Sequence, residues 1–156
     1  MTYFNKPFNT EEQPIEKNRY RLLWAALCPY AHRAVIARKL LGLDKVISLG
    51  TLDYRRGEDG WQFSLDPEGV DPILKKPTLK SVYNYSEPNY EGPYSVPALV
   101  DLKTEKIVRK ESAEILHEFA TIFKPLHKEG AIDLYPESLA KQIDEWNEKL
   151  AIAVND

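Results

Sequence analysis

The chain has 156 residues, 43% of them hydrophobic and 29% charged, with a formal net charge of −3. That size suits one globular domain able to bury about two thirds of its unfolded surface. The interspersed charge leaves no basic stripe of the kind phosphate backbones require, which excludes nucleic acid as a partner. No run approaches the ~18 apolar residues of a membrane span, and Met1 is followed by polar residues and not by a leader, so a cytoplasmic address is expected.

In chain order, residues 1–18 mix Asn, Pro, Glu and Lys without periodicity and read as an N-terminal arm that crosses the surface or frays. Tyr20 to Leu27 is a short apolar run stopped by Pro29, the pattern of a buried strand that feeds a turn. Ala31, Ala34, Val35, Ala37, Arg38 and Leu41 follow helical spacing, and Gly42 supplies the stop, so a helix is predicted over 30–41. Residues 45–49 read as a second strand, and strand, helix and strand in so short a span imply a right-handed parallel crossover. The stretch 51–95 is interrupted by Gly57, Gly60, Gly69, Gly92 and repeated prolines. Its aromatic content, Trp61, Phe63, Tyr83, Tyr85, Tyr90 and Tyr94, predicts an ordered insertion with a short helix within 72–84. Val96 to Val100 and residues 106–108 read as an antiparallel hairpin, and Ser112 opens a helix to about Phe123. Residues 125–136 read as a linker, and 137–154 as an amphipathic helix with Leu139, Ile143, Trp146, Leu150 and Ala153 on one side. That stripe has no partner helix in the sequence, so the segment is expected to fray or to bury itself against another copy as a homodimer. The order of elements is that of an α/β, thioredoxin-like fold: a mixed four-stranded sheet over 19–124 with a long insertion.

The chemistry centres on Cys28, the one cysteine. It can form no internal disulfide and has no Cys partner for a metal cage, so it is either a packing residue or a working thiol. Cys28-Pro29-Tyr30-Ala31 puts it at a helix N-terminus, where unpaired amides and the helix dipole favour a thiolate. Ala31 stands where a redox dithiol carries its second cysteine, so exchange must use an external thiol. Val96-Pro97 opens a strand. It is an ordinary trans edge proline on base rate, but in thioredoxin-like folds this bond is cis and frees the preceding backbone to pair with an extended ligand. Glu111-Ser112 can present an amino-acid head group with a hydroxyl, helix amides and a carboxylate, or Ser112 can simply cap its helix. His32, His117 and His127 lack metal-ligand spacing, and no metal site is expected. Asn84-Tyr85-Ser86 fits a glycosylation acceptor without any sign of secretion, and Lys75, Lys76 and Lys80 read as a solvated face.

Residues 19–120 resemble the N-terminal domain of the glutathionyl-hydroquinone reductases, the Xi class of glutathione transferases. The resemblance rests on RYRLLWAALCPYAHR (19–33), where the family usually has Cys-Pro-Trp-Ala-His-Arg, and on GEDGWQF (57–63), SVPALVD (95–101) and IVRKESAEI (107–115). LYPESLAKQIDEWN (134–147) resembles the join to the family's all-α C-terminal domain, so 137–156 would be the start of a truncated one. The resemblance implies glutathione as co-substrate and Cys28 as catalytic residue, attacking a glutathionylated quinol, taking the glutathione as a mixed disulfide and releasing the hydroquinone. It also implies that Trp61 packs on glutathione, that Val96 pairs with its cysteinyl backbone, and that Glu111 and Ser112 hold its γ-glutamyl end. Pro93, Tyr94, Ser95 and Pro97 complete the binding segment. Tyr30 replaces the usual Trp, and Pro93 stands where the family commonly has an Arg. Family members run to roughly twice this length and carry quinol-contacting tyrosines on the helical domain, so an excised N-terminal domain with weak or no turnover is expected.

Overall fold

A computed structural model describes residues 3–155 of the chain. Its centre is a four-stranded sheet in the order β2-β1-β3-β4. Strand β1 (Tyr20–Ala25) pairs in parallel with β2 (Ile47–Leu52) and antiparallel with β3 (Ala98–Asp101), which pairs antiparallel with β4 (Lys106–Arg109). Helix α1 (Pro29–Leu40) makes the crossover from β1 to β2, α2 (Leu79–Ser86) closes the insertion, and α3 (Ser112–Ala120) follows β4. Helix α4 (Ala140–Leu150) lies near the C-terminus between single turns at Glu137–Leu139 and Ala151–Asn155. The thioredoxin-like mixed sheet expected from the sequence is therefore the observed fold.

Most strand positions are apolar because both faces of the sheet are covered, and the charged residues the strands bury are Arg21, Asp101 and Arg109. Side chains alternate along β1, so Tyr20 and Leu22 enter one core with Leu99, Ile115, Phe119 and Phe123, on the side of α1 and α3. Leu23 and Ala25 enter the other with Phe63, Val82, Tyr83 and Val100, on the side of α2 and the insertion.

Several boundaries differ from those predicted. Strand β1 ends at Ala25, and Leu27 is 66% exposed on the turn. Strand β2 starts at Ile47 because Leu43–Lys45 forms a 3₁₀ turn after Gly42, whose φ of +74° ends α1. A Cβ at Gly42 would also lie 2.5 Å from Cβ of Lys128, where the later chain crosses and Lys128 N–H donates to the Leu41 carbonyl at 3.0 Å. The insertion helix is displaced to 79–86, since Thr78 and Ser81 form a reciprocal capping box just after Pro77. The strand expected from Val96 begins at Ala98, and α3 stops at Ala120, short of Phe123. The arm crosses the surface and does more: Phe8 is buried between the rings of Tyr20 and Phe123, at 5.4 and 5.2 Å. The segment 125–136 is likewise docked, with Leu134 against the α1/α3 core and the Tyr135 ring 4.6 Å from His117.

The insertion is held to the sheet by a buried ion pair. Arg21 of β1 donates through Nη2 and Nε to Asp71 Oδ2 at 2.6 and 3.0 Å, and Asp71 Oδ1 accepts from the backbone N–H groups of Ile73 and Leu74. Gly50 makes room for the pair, since a Cβ there would sit 3.0 Å from Asp71 Oδ2 and 2.6 Å from Leu23. Removing one partner strands the other charge in the core. Asp71→Ala should cost about 3–5 kcal/mol in urea denaturation, and a loss below 1 kcal/mol would show that the insertion is anchored elsewhere.

Candidate functional site

The end of β1 turns at Cys28, which is the N-cap of α1 and is half-buried. Its Sγ–H donates to the Val96 carbonyl at 3.5 Å. Val96-Pro97 is a cis peptide, as the fold resemblance implied against the base rate, and both residues are buried. The contact follows from register. Leu23 pairs with Ala98 in the antiparallel ladder, so the residues after β1 run beside the residues before β3.

The segment leading to Val96 is fixed by tyrosines. Tyr83 OH donates to the Ser95 carbonyl at 2.9 Å, and burial raises its pKa well above the usual phenol range, so it stays a donor. Tyr90 OH donates to the Pro93 carbonyl at 3.1 Å, and Tyr94 OH donates to Asn84 Oδ1 at 3.1 Å. Pro93 is exposed.

Trp61 sits in the core cluster against which Cys28 packs, but it is only 5% exposed and the Arg56 guanidinium lies 4.3 Å over its ring. A ligand would meet an Arg-on-indole stack and not an open indole face. Glu111 is the exposed N-cap of α3, with its carboxylate 2.7 Å from Lys110 Nζ. Ser112 is the first helical residue, is buried, and makes no side-chain cap bond, which corrects the capping alternative. Its Oγ instead accepts from Arg33 Nε at 3.0 Å and Nη2 at 2.6 Å.

The structure thus brings Cys28 to Val96 and ties the start of α3 to α1 through Arg33. Sequence reasoning missed Arg33 and Arg56 because a charged residue outside an apolar stripe reads as solvated; for Arg33, the only signal was its place in the Cys-Pro-x-Ala-His-Arg run. Among the described residues, no group of three His, Cys, Asp or Glu side chains is placed to hold a metal, and no helix is long and apolar enough to cross a membrane.

Residues 27–122 match the family model of the glutathione S-transferase N-terminal domain. The chain is 39% identical over 145 residues to glutathione S-transferase omega-like 2 of Schizosaccharomyces pombe, covering 90% of this chain and 46% of that protein. It is 38% identical over 143 residues to the glutathionyl-hydroquinone reductase YqjG of Escherichia coli, covering 90% of this chain and 43% of that protein. The glutathione-bound structure of YqjG superposes with a TM-score of 0.81, covering 93% of this chain and 48% of that one. The Xi glutathione transferase of Phanerochaete chrysosporium superposes with a TM-score of 0.89 at 38% identity, covering 99% and 54%. The chain spans about half the length of these relatives. The chain belongs to the glutathione S-transferase family, whose N-terminal domain it carries.

Proposed function

We propose that this chain is the glutathione-binding and thiol-bearing part of a glutathionyl-hydroquinone reductase, with Cys28 as its catalytic residue. The observation that carries the reading is the approach of Cys28 Sγ to the Val96 carbonyl at a helix start, beside the backbone that leads into β3, with which an extended peptide could pair. The Cys28 thiolate attacks the thioether sulfur of a glutathionylated hydroquinone. The S–S bond forms as the sulfur–aryl bond breaks, the ring carbon takes a proton, and the hydroquinone leaves; the sulfurs are oxidised and the ring is reduced. The thiolate of a second glutathione then attacks the glutathionyl sulfur of the mixed disulfide. Oxidised glutathione leaves and the Cys28 thiolate returns. Val96 pairs with the cysteinyl backbone, Glu111 and Ser112 hold the γ-glutamyl end, and Trp61 with Arg56 borders the site. Glutathione chemistry of this kind suits the reducing, glutathione-rich cytoplasm.

A second reading is a thioredoxin-like module that binds thiols without turnover. Both readings require the mixed disulfide. Mass spectrometry after incubation with oxidised glutathione should find one adduct on the wild type and none on Cys28→Ser, whose turn does not need sulfur. An adduct persisting on the variant, or absent from the wild type, overturns both, whereas quinol release from a glutathionyl-hydroquinone separates enzyme from module.

Assembly belongs to the same proposal. Trp146, Leu150 and Ile152 are 62%, 50% and 65% exposed, and none of α4 is buried. The chain should therefore form a homodimer as its concentration rises, and sedimentation over a hundredfold range tests this; a monomer throughout would rule it out.

A further inference from the structure

We infer that Arg33 is a positioning residue of the ligand site: by taking both lone pairs of Ser112 Oγ, it turns that hydroxyl into an obligate donor aimed at a carboxylate. The inference rests on the glutathione reading above and names the group that sets its γ-glutamyl subsite. A serine hydroxyl has two lone pairs and one proton, and a guanidinium can only donate. With Nε at 3.0 Å and Nη2 at 2.6 Å, the Arg33 fork uses the acceptor capacity of Oγ. The proton is unspent, since among the described residues Ser112 donates to no acceptor, although its side chain is buried.

Charge points the same way. Arg19, Arg21 and Arg109 each lie against a carboxylate, from Asp101, Asp71 and Glu118. Half-buried Arg33 has no carboxylate within ion-pair distance among the described residues, and it stands behind Ser112 at the start of α3, where backbone amides are also unpaired. An arriving carboxylate would accept from the hydroxyl and be the counter-ion of the cation behind it. Glu111, exposed one residue earlier, is the acceptor for an ammonium on the same carbon. Carboxylate and ammonium together are an α-amino-acid head group, the γ-glutamyl end of glutathione. Because Arg33 stands on the helix that Cys28 begins, the fork also fixes this subsite relative to the thiol.

The test is a double-mutant cycle read by calorimetry with reduced glutathione, with a melt of every variant. Arg33→Leu and Ser112→Ala should each weaken binding about tenfold, the worth of a charge-assisted hydrogen bond, and Arg33→Leu should weaken nothing further once Ser112 is Ala. Arg33→Lys keeps the charge but not the fork and should fall between. Equal losses from Arg33→Leu in both backgrounds would mean that Arg33 only braces α1 against α3, and would overturn the inference. If Arg33→Leu fails to fold, wild-type affinity in Arg33→Lys overturns it instead. Wild-type protein that binds no glutathione removes the glutathione reading itself, and this inference with it.

Discussion

Antiparallel pairing of β1 with β3 is the constraint on which the rest of the site depends. Tyr20 faces Asp101 and Leu23 faces Ala98, so the chain leaving β1 and the chain entering β3 must meet at the same end of the sheet. One of those ends carries Cys28, the other Val96 and Pro97. A thiol at a helix start is a common arrangement; a thiol held 3.5 Å from a backbone carbonyl at a strand entrance is specific to this ladder. A one-residue slip of register would turn Leu23 and Ala25 away from their core as well as displacing Cys28, so the packing of the core enforces the geometry of the site.

The ladder in turn needs both faces of the sheet covered. Helices α1 and α3 cover one, and the insertion covers the other, although that insertion contains only one short helix. What orders it is polar as well as apolar. Asp71 holds Arg21 with one carboxylate oxygen and two backbone amides with the other, converting an expensive buried charge into a clamp. Tyr83 and Tyr90 then reach from the insertion to the carbonyls of Ser95 and Pro93, which fixes the approach to Val96.

The parts legible in the sequence are those governed by local rules. The apolar run before Cys28, the helical spacing after it and the stop at Gly42 gave the first strand and helix to within two residues. The order of elements was enough for the fold. The parts that were not legible depend on distant partners. Strand β2 runs to Leu52 because Gly50 and Leu52 pair with Leu23 and Ala25, which no local pattern announces. Phe8 lies in a segment of polar composition and is buried only because Tyr20 and Phe123 leave it a slot. At the site, Cys28, Val96 and Ser112 could be named from motif and helix position, whereas the partner of Ser112 could not. Arg33 lies 79 positions away from it in sequence.

The outer face of α1 and α3 links the fold to the candidate site. Ile36 and Leu40 are 48% and 45% exposed there, and with Leu116, Leu134 and Ile143 they border a groove of about 330 Å³ beneath α4. Arg33 lines the same groove. Helix α4 buries none of its residues against it, so little of its helicity can come from tertiary packing. Any polypeptide that filled the groove would remove water from the Arg33 side of the fork, and a hydrogen bond from a cation strengthens as the surrounding dielectric falls. Covering the groove would therefore stabilise α4 and at the same time strengthen the hydrogen bonds from Arg33 to Ser112 Oγ. The apolar face and the start of α3 are in this sense one structural problem, joined at a single arginine.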